Sequence, residues 1–393
     1  MNQSDYDLIV VGAGIHGVGI AQAAAAAGHS VLVLERQAIA AGSSSRSSKL
    51  IHGGLRYLEQ FDLRLVRECL VERELLLKLA PVLVKLVPFY IPVYRQTRRR
   101  PLEIRAGLSL YALLGGLHAH ARFQQLPRRA WPQLQGLQQD GLQAVFKYFD
   151  AQTDDASLTW AVMQSAITLG AKLLVPASFE GAELDADGCR VTFAEDTRRR
   201  ELRCRVLVNA AGPWVNQIAA RIVPQVAQAG IDLVQGTHLI FDHPIVDSIF
   251  YVEAPRDGRA VFVMPWHDES TLVGTTETPF RNRDPASVHP LPEEQDYLLE
   301  VLQRYFPGAP TTLRASFAGL RVLPASPQRA FRRSREILLL PDRPRQPRVL
   351  NVYGGKLTSY RADAARALRL LQSALPRRQS KADTRSLPLA PAP

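Results

Sequence analysis

Several apolar runs in this chain end abruptly at small or polar residues. Residues 8–11 stop at Gly12-Ala13-Gly14, residues 31–34 stop at Glu35, residues 206–208 run into Asn209-Ala210-Ala211-Gly212, and residues 350–353 meet Gly354-Gly355. Short apolar runs without alternation predict strands covered on both faces, as in a parallel sheet. Between the first two, residues 15–27 are mostly Ala, Gly, Ile and Val and predict a helix that stops at Gly28. Residues 62–80 repeat Leu63, Val66, Leu70 and Leu75 among charges, the pattern of a surface helix. Residues 124–141, with Pro127 and Pro132, read as loop, and residues 144–149 as a strand. Asp154 and Asp155 are placed to cap a helix over residues 156–169, and the acids near it, including Asp150, read as structural. Strands are expected over residues 172–175, around 181–193 and over 202–209. Residues 235–241, 260–265 and 270–276 are short runs divided by turns, which predicts an antiparallel sheet. Residues 292–306 set Leu298, Val301, Leu302 and Tyr305 at helical spacing, and a last helix runs to about residue 371.

Composition narrows the class. With 393 residues, 46% apolar and 22% charged, the chain has the balance of a folded globular protein with a sizeable core. Cys69, Cys189 and Cys204 show no paired spacing, so neither a metal site nor a disulfide framework is predicted, and a reducing compartment fits. Residues 8–34 carry no charge, yet β-branched ends and a glycine-rich middle argue against a membrane span, and no secretory signal is evident. The net charge of +11 favours acidic partners, whether phosphorylated substrates, anionic lipid or nucleic acid, unless it reflects only arginine-rich coding. No readable nucleic-acid module accompanies it. Residues 84–122 flank Arg95, Arg98, Arg99, Arg100 and Arg105 with apolar and aromatic residues. That pattern fits either a membrane-interface segment or a helical excursion packed on its own domain. From about residue 376 the chain is Arg-, Ser-, Pro- and Ala-rich and is expected to fray.

The chemistry begins at Gly12-x-Gly14-x-x-Gly17. Set between a strand and a helix, with Glu35 eighteen residues beyond Gly17, it is the arrangement that binds a dinucleotide. Gly12 allows the turn, Gly14 the approach of a pyrophosphate, Gly17 close packing, and Glu35 accepts from ribose hydroxyls. The fingerprint alone does not separate FAD from NAD. The Ser-rich residues 41–49 that follow, running into His52-Gly53-Gly54, lean toward FAD. So do the Asn209–Trp214 strand end and the residue 354–360 turn, whose helix end can face a flavin that turns negative on reduction.

SSKLIHGGLRYLE, together with GAGIHGVG, resembles the FAD-dependent glycerol-3-phosphate dehydrogenase and oxidase family, within the D-amino-acid-oxidase-like flavoproteins. GLRVLP and GGKLTSY are similar to the same family's later motifs. The resemblance implies an α/β (α+β overall) fold, a Rossmann-like FAD-binding domain with an antiparallel β-sheet substrate domain. The first would take residues 1–83, 142–234 and 316–375 and the second residues 84–141 and 235–315, leaving 376–393 as a tail. Bacterial dehydrogenases of the family usually carry a further helical domain after the GGKLT helix, which this sequence lacks. The activity implied is oxidation of sn-glycerol 3-phosphate to dihydroxyacetone phosphate by hydride transfer from C2 to flavin N5. Electrons would pass to quinone, with molecular oxygen as the alternative acceptor and a different alcohol or amine as the alternative substrate. The protein would be cytoplasmic, peripheral on the inner membrane, and able to oligomerise.

Cofactor contacts are expected from Gly12, Gly14, Ile15, His16, Gly17, Glu35, Arg36, Ser43, Ser44, Ser48, Lys49, Leu50, His52, Gly53 and Gly54, and from Ala210, Gly212, Trp214, Gly355, Lys356, Leu357 and Thr358. Substrate contacts are expected from Arg56, Tyr57, Arg321, Arg335, Lys356 and Thr358, because a guanidinium fork matches phosphate geometry. His52 and His238 are both candidates for the base, with Arg321 and Lys356 as further catalytic groups. His16 stands where the family commonly has a polar amide, and a tuning effect is expected of it.

Overall fold

Two β-sheets divide the chain between them. A computed structural model describes residues 4–134, 136–267, 269–282, 284–326 and 335–391, and the structural statements below concern these. The first sheet has nine strands among the described residues. Its centre is parallel, in the order Lys172–Leu174, Val31–Leu34, Tyr6–Val11, Arg198–Asn209 and Val349–Tyr353. The long strand Arg198–Asn209 serves two partners. Its second half joins the parallel centre, and its first half pairs antiparallel with Cys189–Glu195, which pairs in turn with Ala177–Leu184.

Helix Ile15–Ala26 is buried at all but one of its positions, as an apolar-all-round helix must be. It packs against the sheet and against helices Asp155–Thr168 and Tyr360–Leu371. Contact with the last is close: a Cβ at Gly19 would stand 2.8 Å from the Tyr360 ring. Asp154 caps the middle helix by accepting from Ser157 N at 2.7 Å, as its position in the sequence implied.

The second sheet has ten strands among the described residues. It is antiparallel except where Ile249–Glu253 pairs parallel with Val84–Tyr94. Helix Pro292–Tyr305 covers one face through Tyr297, Leu298, Val301 and Leu302. The other face packs on helix Pro101–Leu114 through Ile104, Leu108 and Tyr111.

Several expectations change here. Residues 84–122 are not one continuous surface segment: Val84–Tyr94 is an interior strand, hydrogen-bonded to Leu142–Thr153 on one side and Ile249–Glu253 on the other, while helix Pro101–Leu114 leaves Leu102 and Leu113 exposed. Its alternate residues feed two cores, Phe89, Ile91 and Val93 on one face, Tyr90 and Tyr94 on the other. The arginines that follow are engaged within the protein, Arg99 with Glu59 and Glu253, and Arg105 with Gln125. Strands Leu142–Thr153 and Ala315–Pro324, assigned from sequence to the cofactor domain, pair in the second sheet. Helix Leu63–Leu79 buries Glu72 and Arg73 as well as its apolar stripe, so it is no simple surface helix. Asp150 is not a cap but the partner of Arg73, at 2.6 Å with both side chains fully buried.

The tail is also ordered over its described residues. Lys381 N donates to Ala26 O, Leu389 N donates to Leu79 O, and Leu389 is 5% exposed within the first sheet's core. Arg378 pairs with Asp7 at 3.2 Å. Low apolar content suggested fraying; these few long-range contacts hold the segment along the body.

Candidate active site

The parallel strands all end at one edge, the position where open α/β sheets bind ligands. Gly12 has φ +101°, and a Cβ there would stand 2.7 Å from Ala210 O; a Cβ at Gly17 would stand 2.0 Å from Gly12 O. The first turn therefore tolerates no side chain at either position. Glu35 draws the next strand end onto this turn: its carboxylate accepts from Ala13 N and from Gln37 N, each at 2.8 Å. The Ser-rich loop closes the cleft from the other side. Ser44 Oγ accepts from Ile15 N at 2.9 Å, and Ser43 Oγ donates to Leu320 O at 2.6 Å. Arg36 lies 4.1 Å over the Trp214 ring.

A cavity of about 510 Å³ joins this glycine turn, Glu35, Arg36 and Trp214 to a cationic end at Arg56, Arg321, Arg335 and Lys356. Backbone cradled without Cβ atoms, a helix start and a carboxylate at the second strand end fit the pyrophosphate and ribose of a dinucleotide. The further length of the cavity fits a flavin.

At the cationic end, loop residues 52–57 meet the turn after Val349–Tyr353. Thr358 Oγ1 accepts from His52 N at 3.1 Å and donates to His52 O at 3.3 Å, joining the two loops. Lys356 Nζ stands 3.7 Å over the Tyr57 ring, and Arg56 Nη2 donates to the Tyr57 hydroxyl at 3.2 Å. Arg321 is fixed from the second sheet: Nη1 donates to Thr276 O and Nη2 to Thr275 Oγ1, both at 3.0 Å. Arg335 Nη2 reaches Glu277 at 2.5 Å. The preceding residues of the Arg335 run lie outside the described part of the chain.

Charge sets the protonation states. Burial, then Lys356, Arg56 and Arg335, push the His52 imidazole down to about 3, so it is neutral at pH 7 in the empty pocket. Burial would raise the Tyr57 phenol, but Arg335, Arg56 and Lys356 outweigh it and bring it down to about 7. Burial raises the Cys69 thiol to about 11, with Lys356 Nζ 3.6 Å from its sulfur.

All six expected substrate-contacting residues line this cavity, and so do the expected cofactor residues other than Gly17, Lys49 and Gly53. Gly17 acts by packing, as anticipated. Lys49 turns away, its Nζ held by Asp155 and by Ser45 O, both at 2.5 Å. Gly53 points its N–H at the Tyr111 hydroxyl, 2.8 Å away. His238 is absent from the lining. It is fully buried and stacked on Phe317 at 4.9 Å, in space left by Gly274 across the sheet, with Nε2 on Ser48 Oγ at 3.0 Å. It stands behind the lining, against Ser48 and near Arg321, not on the cavity wall itself. His16 does face the cleft, with Nε2 3.1 Å from Asp363 and against Gly355. Sequence reasoning missed the aromatic wall of Tyr148, Tyr251 and Phe262, and missed Glu277 behind the arginines. Among the described residues no cluster of His, Cys, Asp and Glu is placed to hold a metal, and no helix is long and apolar enough to cross a membrane.

A glycine-cradled cleft at the ends of a parallel sheet, opening into a pocket that mixes cations with a neutral histidine, defines a dinucleotide-dependent oxidoreductase. Residues 7–359 match the FAD dependent oxidoreductase family, and the chain belongs to it. It is 38% identical to a glycerol-3-phosphate dehydrogenase of Pseudomonas aeruginosa, over 93% of this chain and 72% of that protein. It is 34% identical to a D-erythritol 1-phosphate dehydrogenase of Brucella abortus, over 94% and 74% of the two chains. The solved glycerol-3-phosphate dehydrogenase of Bacillus halodurans, complexed with FAD, superposes with a TM-score of 0.73 at 25% identity, covering 99% of this chain and 68% of that one.

Proposed function

We propose that this protein oxidises the C2 hydroxyl of sn-glycerol 3-phosphate to dihydroxyacetone phosphate with FAD. One observation carries the reading: Arg56, from the start of the chain, and Arg321 and Arg335, from near its end, converge on one pocket that also holds Lys356 and a neutral His52. Guanidinium forks suit a phosphate monoester, whose oxygens accept in pairs. His52 takes the hydroxyl proton, its ring held edge to face against Phe262 at 6.2 Å. Lys356 offers its ammonium to the developing oxyanion. FAD, when bound, accepts the two electrons that leave the alcohol carbon as a hydride equivalent.

Quinone is the acceptor we favour, and oxygen the alternative; turnover that consumes oxygen without added quinone would decide for the second. The Brucella relative's name supports one further reading, a longer polyol monophosphate. Support for a membrane partner has narrowed to the exposed Leu102, Leu113 and Leu117 at and after helix Pro101–Leu114. Flotation with anionic liposomes tests it, and protein left in solution removes it.

The decisive experiment is anaerobic reduction of the purified flavoprotein by a panel of polyol phosphates and their unphosphorylated parents. Glycerol 3-phosphate should bleach the flavin band and glycerol should not. Bleaching by neither, at full FAD occupancy, overturns the assignment.

A further inference from the structure

Three guanidiniums that share one buried pocket repel one another, and something must hold them together before substrate arrives. The segment Thr275-Thr276-Glu277 touches all three. Thr275 Oγ1 and Thr276 O accept from Arg321, as described above. Glu277 Oε1 accepts from Arg56 Nη1 at 3.3 Å and from Arg335 Nη2 at 2.5 Å. Glu277 does not line the cavity; its side chain is 6% exposed and stands behind the arginines. The segment is itself braced from the far side of the sheet. Glu294, 4% exposed on helix Pro292–Tyr305, accepts from Thr276 Oγ1 at 2.7 Å and from Thr237 Oγ1 and Gln235 Nε2, both at 2.6 Å.

We propose that Glu277 is a positioning residue, braced through Thr276 by Glu294, that assembles the three arginines and sets their net charge to fit a phosphate monoester dianion. With Glu277 ionised, the three guanidiniums carry two uncompensated positive charges, against a ligand charge of about −1.5 to −2 at pH 7. Without it the guanidiniums carry three, beside the Lys356 ammonium in the same pocket. Burial and Arg335 already lower Arg321, to about 9, while Glu277 acts in the opposite direction; Arg56, Tyr57 and His238 are the other titratable groups facing it. Arg335 is likewise lowered, by burial and by Arg56, with Tyr57 and Glu277 opposing. Losing the carboxylate therefore unties two forks and leaves the guanidiniums repelling one another without a counter-charge. The phosphate identity of the ligand rests on the function proposed above.

The test uses holoenzyme carrying Glu277→Gln, Glu277→Asp or Glu294→Gln, each checked for FAD content by its visible spectrum. Two quantities are measured from pH 6 to 10: KM for glycerol 3-phosphate, and the dissociation constant of inorganic phosphate read from the perturbed flavin spectrum. Glu277→Gln should raise both constants by about tenfold or more at pH 7, in line with loss of a buried charge partner, with kcat much less affected. Glu277→Asp should recover part of the loss, and Glu294→Gln should show a smaller change in the same direction. Unchanged constants in FAD-replete Glu277→Gln overturn the proposal, as does a fall in kcat alone. The phosphate measurement separates the two readings. If wild-type flavin is not reduced by glycerol 3-phosphate while Glu277→Gln still weakens phosphate, the substrate assignment fails and the clamp stands.

Discussion

Tyr111 is the residue through which the fold reaches the catalytic loop, and Tyr111→Phe isolates that link. The tyrosine is 2% exposed, and its hydroxyl accepts from Gly53 N at 2.8 Å and donates to Asp150 at 2.6 Å. Phenylalanine keeps the ring packing, including the near-perpendicular contact with Tyr148 at 6.0 Å. What changes is that the Gly53 N–H and one Asp150 oxygen lose their partner in a buried place. A buried group left unsatisfied costs about 1–3 kcal/mol, so the pair should cost about 3 kcal/mol. Unfolding entropy scales with length and reaches about 0.8 kcal/mol/K for a chain of this size, which converts the loss into a Tm lower by about 4 °C. Gly53 follows His52 directly, so the same change should slow anaerobic flavin reduction several-fold while FAD stays bound. Thermal unfolding of the holoprotein, followed by circular dichroism and by flavin fluorescence, reads the first effect, and stopped-flow bleaching the second. A Tm within 1 °C of wild type together with an unchanged reduction rate would refute the claim that this network holds the loop.

Other changes probe separate parts of the structure. His52→Asn removes the neutral proton acceptor and should slow reduction by about 100-fold or more at full FAD occupancy; a rate near wild type would place the base elsewhere. Gly17→Ala puts a Cβ where 2.0 Å separates it from Gly12 O, so the purified protein should lose FAD, and a normally yellow variant would contradict the turn geometry. Leu389→Asp buries a carboxylate in the first sheet's core and should lower Tm by several degrees and loosen the chain enough to speed tryptic cleavage at Arg377 and Arg385. An unchanged tryptic pattern would show that the tail does not dock.

The cofactor cleft was legible because its signals are local. A strand end, a glycine turn and a helix start lie within a dozen residues, and each has a physical reason to carry the residues it does. Arg56, Arg321 and Lys356 were legible for a related reason, since each sits inside a short recognisable motif. His238 shows where this stops. Its motif pointed to the cofactor, but the register pairing His238 with Gly274 gives the ring a slot inside the sheet instead of a face toward the cavity. In residues 84–122, an interior strand followed by arginines has the same composition as an interfacial segment. Only pairing with Leu142–Thr153 and Ile249–Glu253 distinguishes them, and pairing is not written in either strand alone.

The acids behind the arginines are the extreme case. Glu277 is one of 37 acidic residues in the chain, and its partners are 221 residues away at Arg56 and 58 away at Arg335. Nothing within a window around Glu277 requires a carboxylate; the requirement arises only when three guanidiniums are folded into one pocket. The same holds for Asp150, whose charge answers that of Arg73 from 77 residues away. Both carboxylates pair with cations held largely out of water, and breaking a buried pair costs about 3–5 kcal/mol. In this protein Arg56, Arg321 and Lys356, which line the cationic end of the cavity, sit in short motifs. The residues that keep them charged and in place follow from the electrostatics of the assembled pocket.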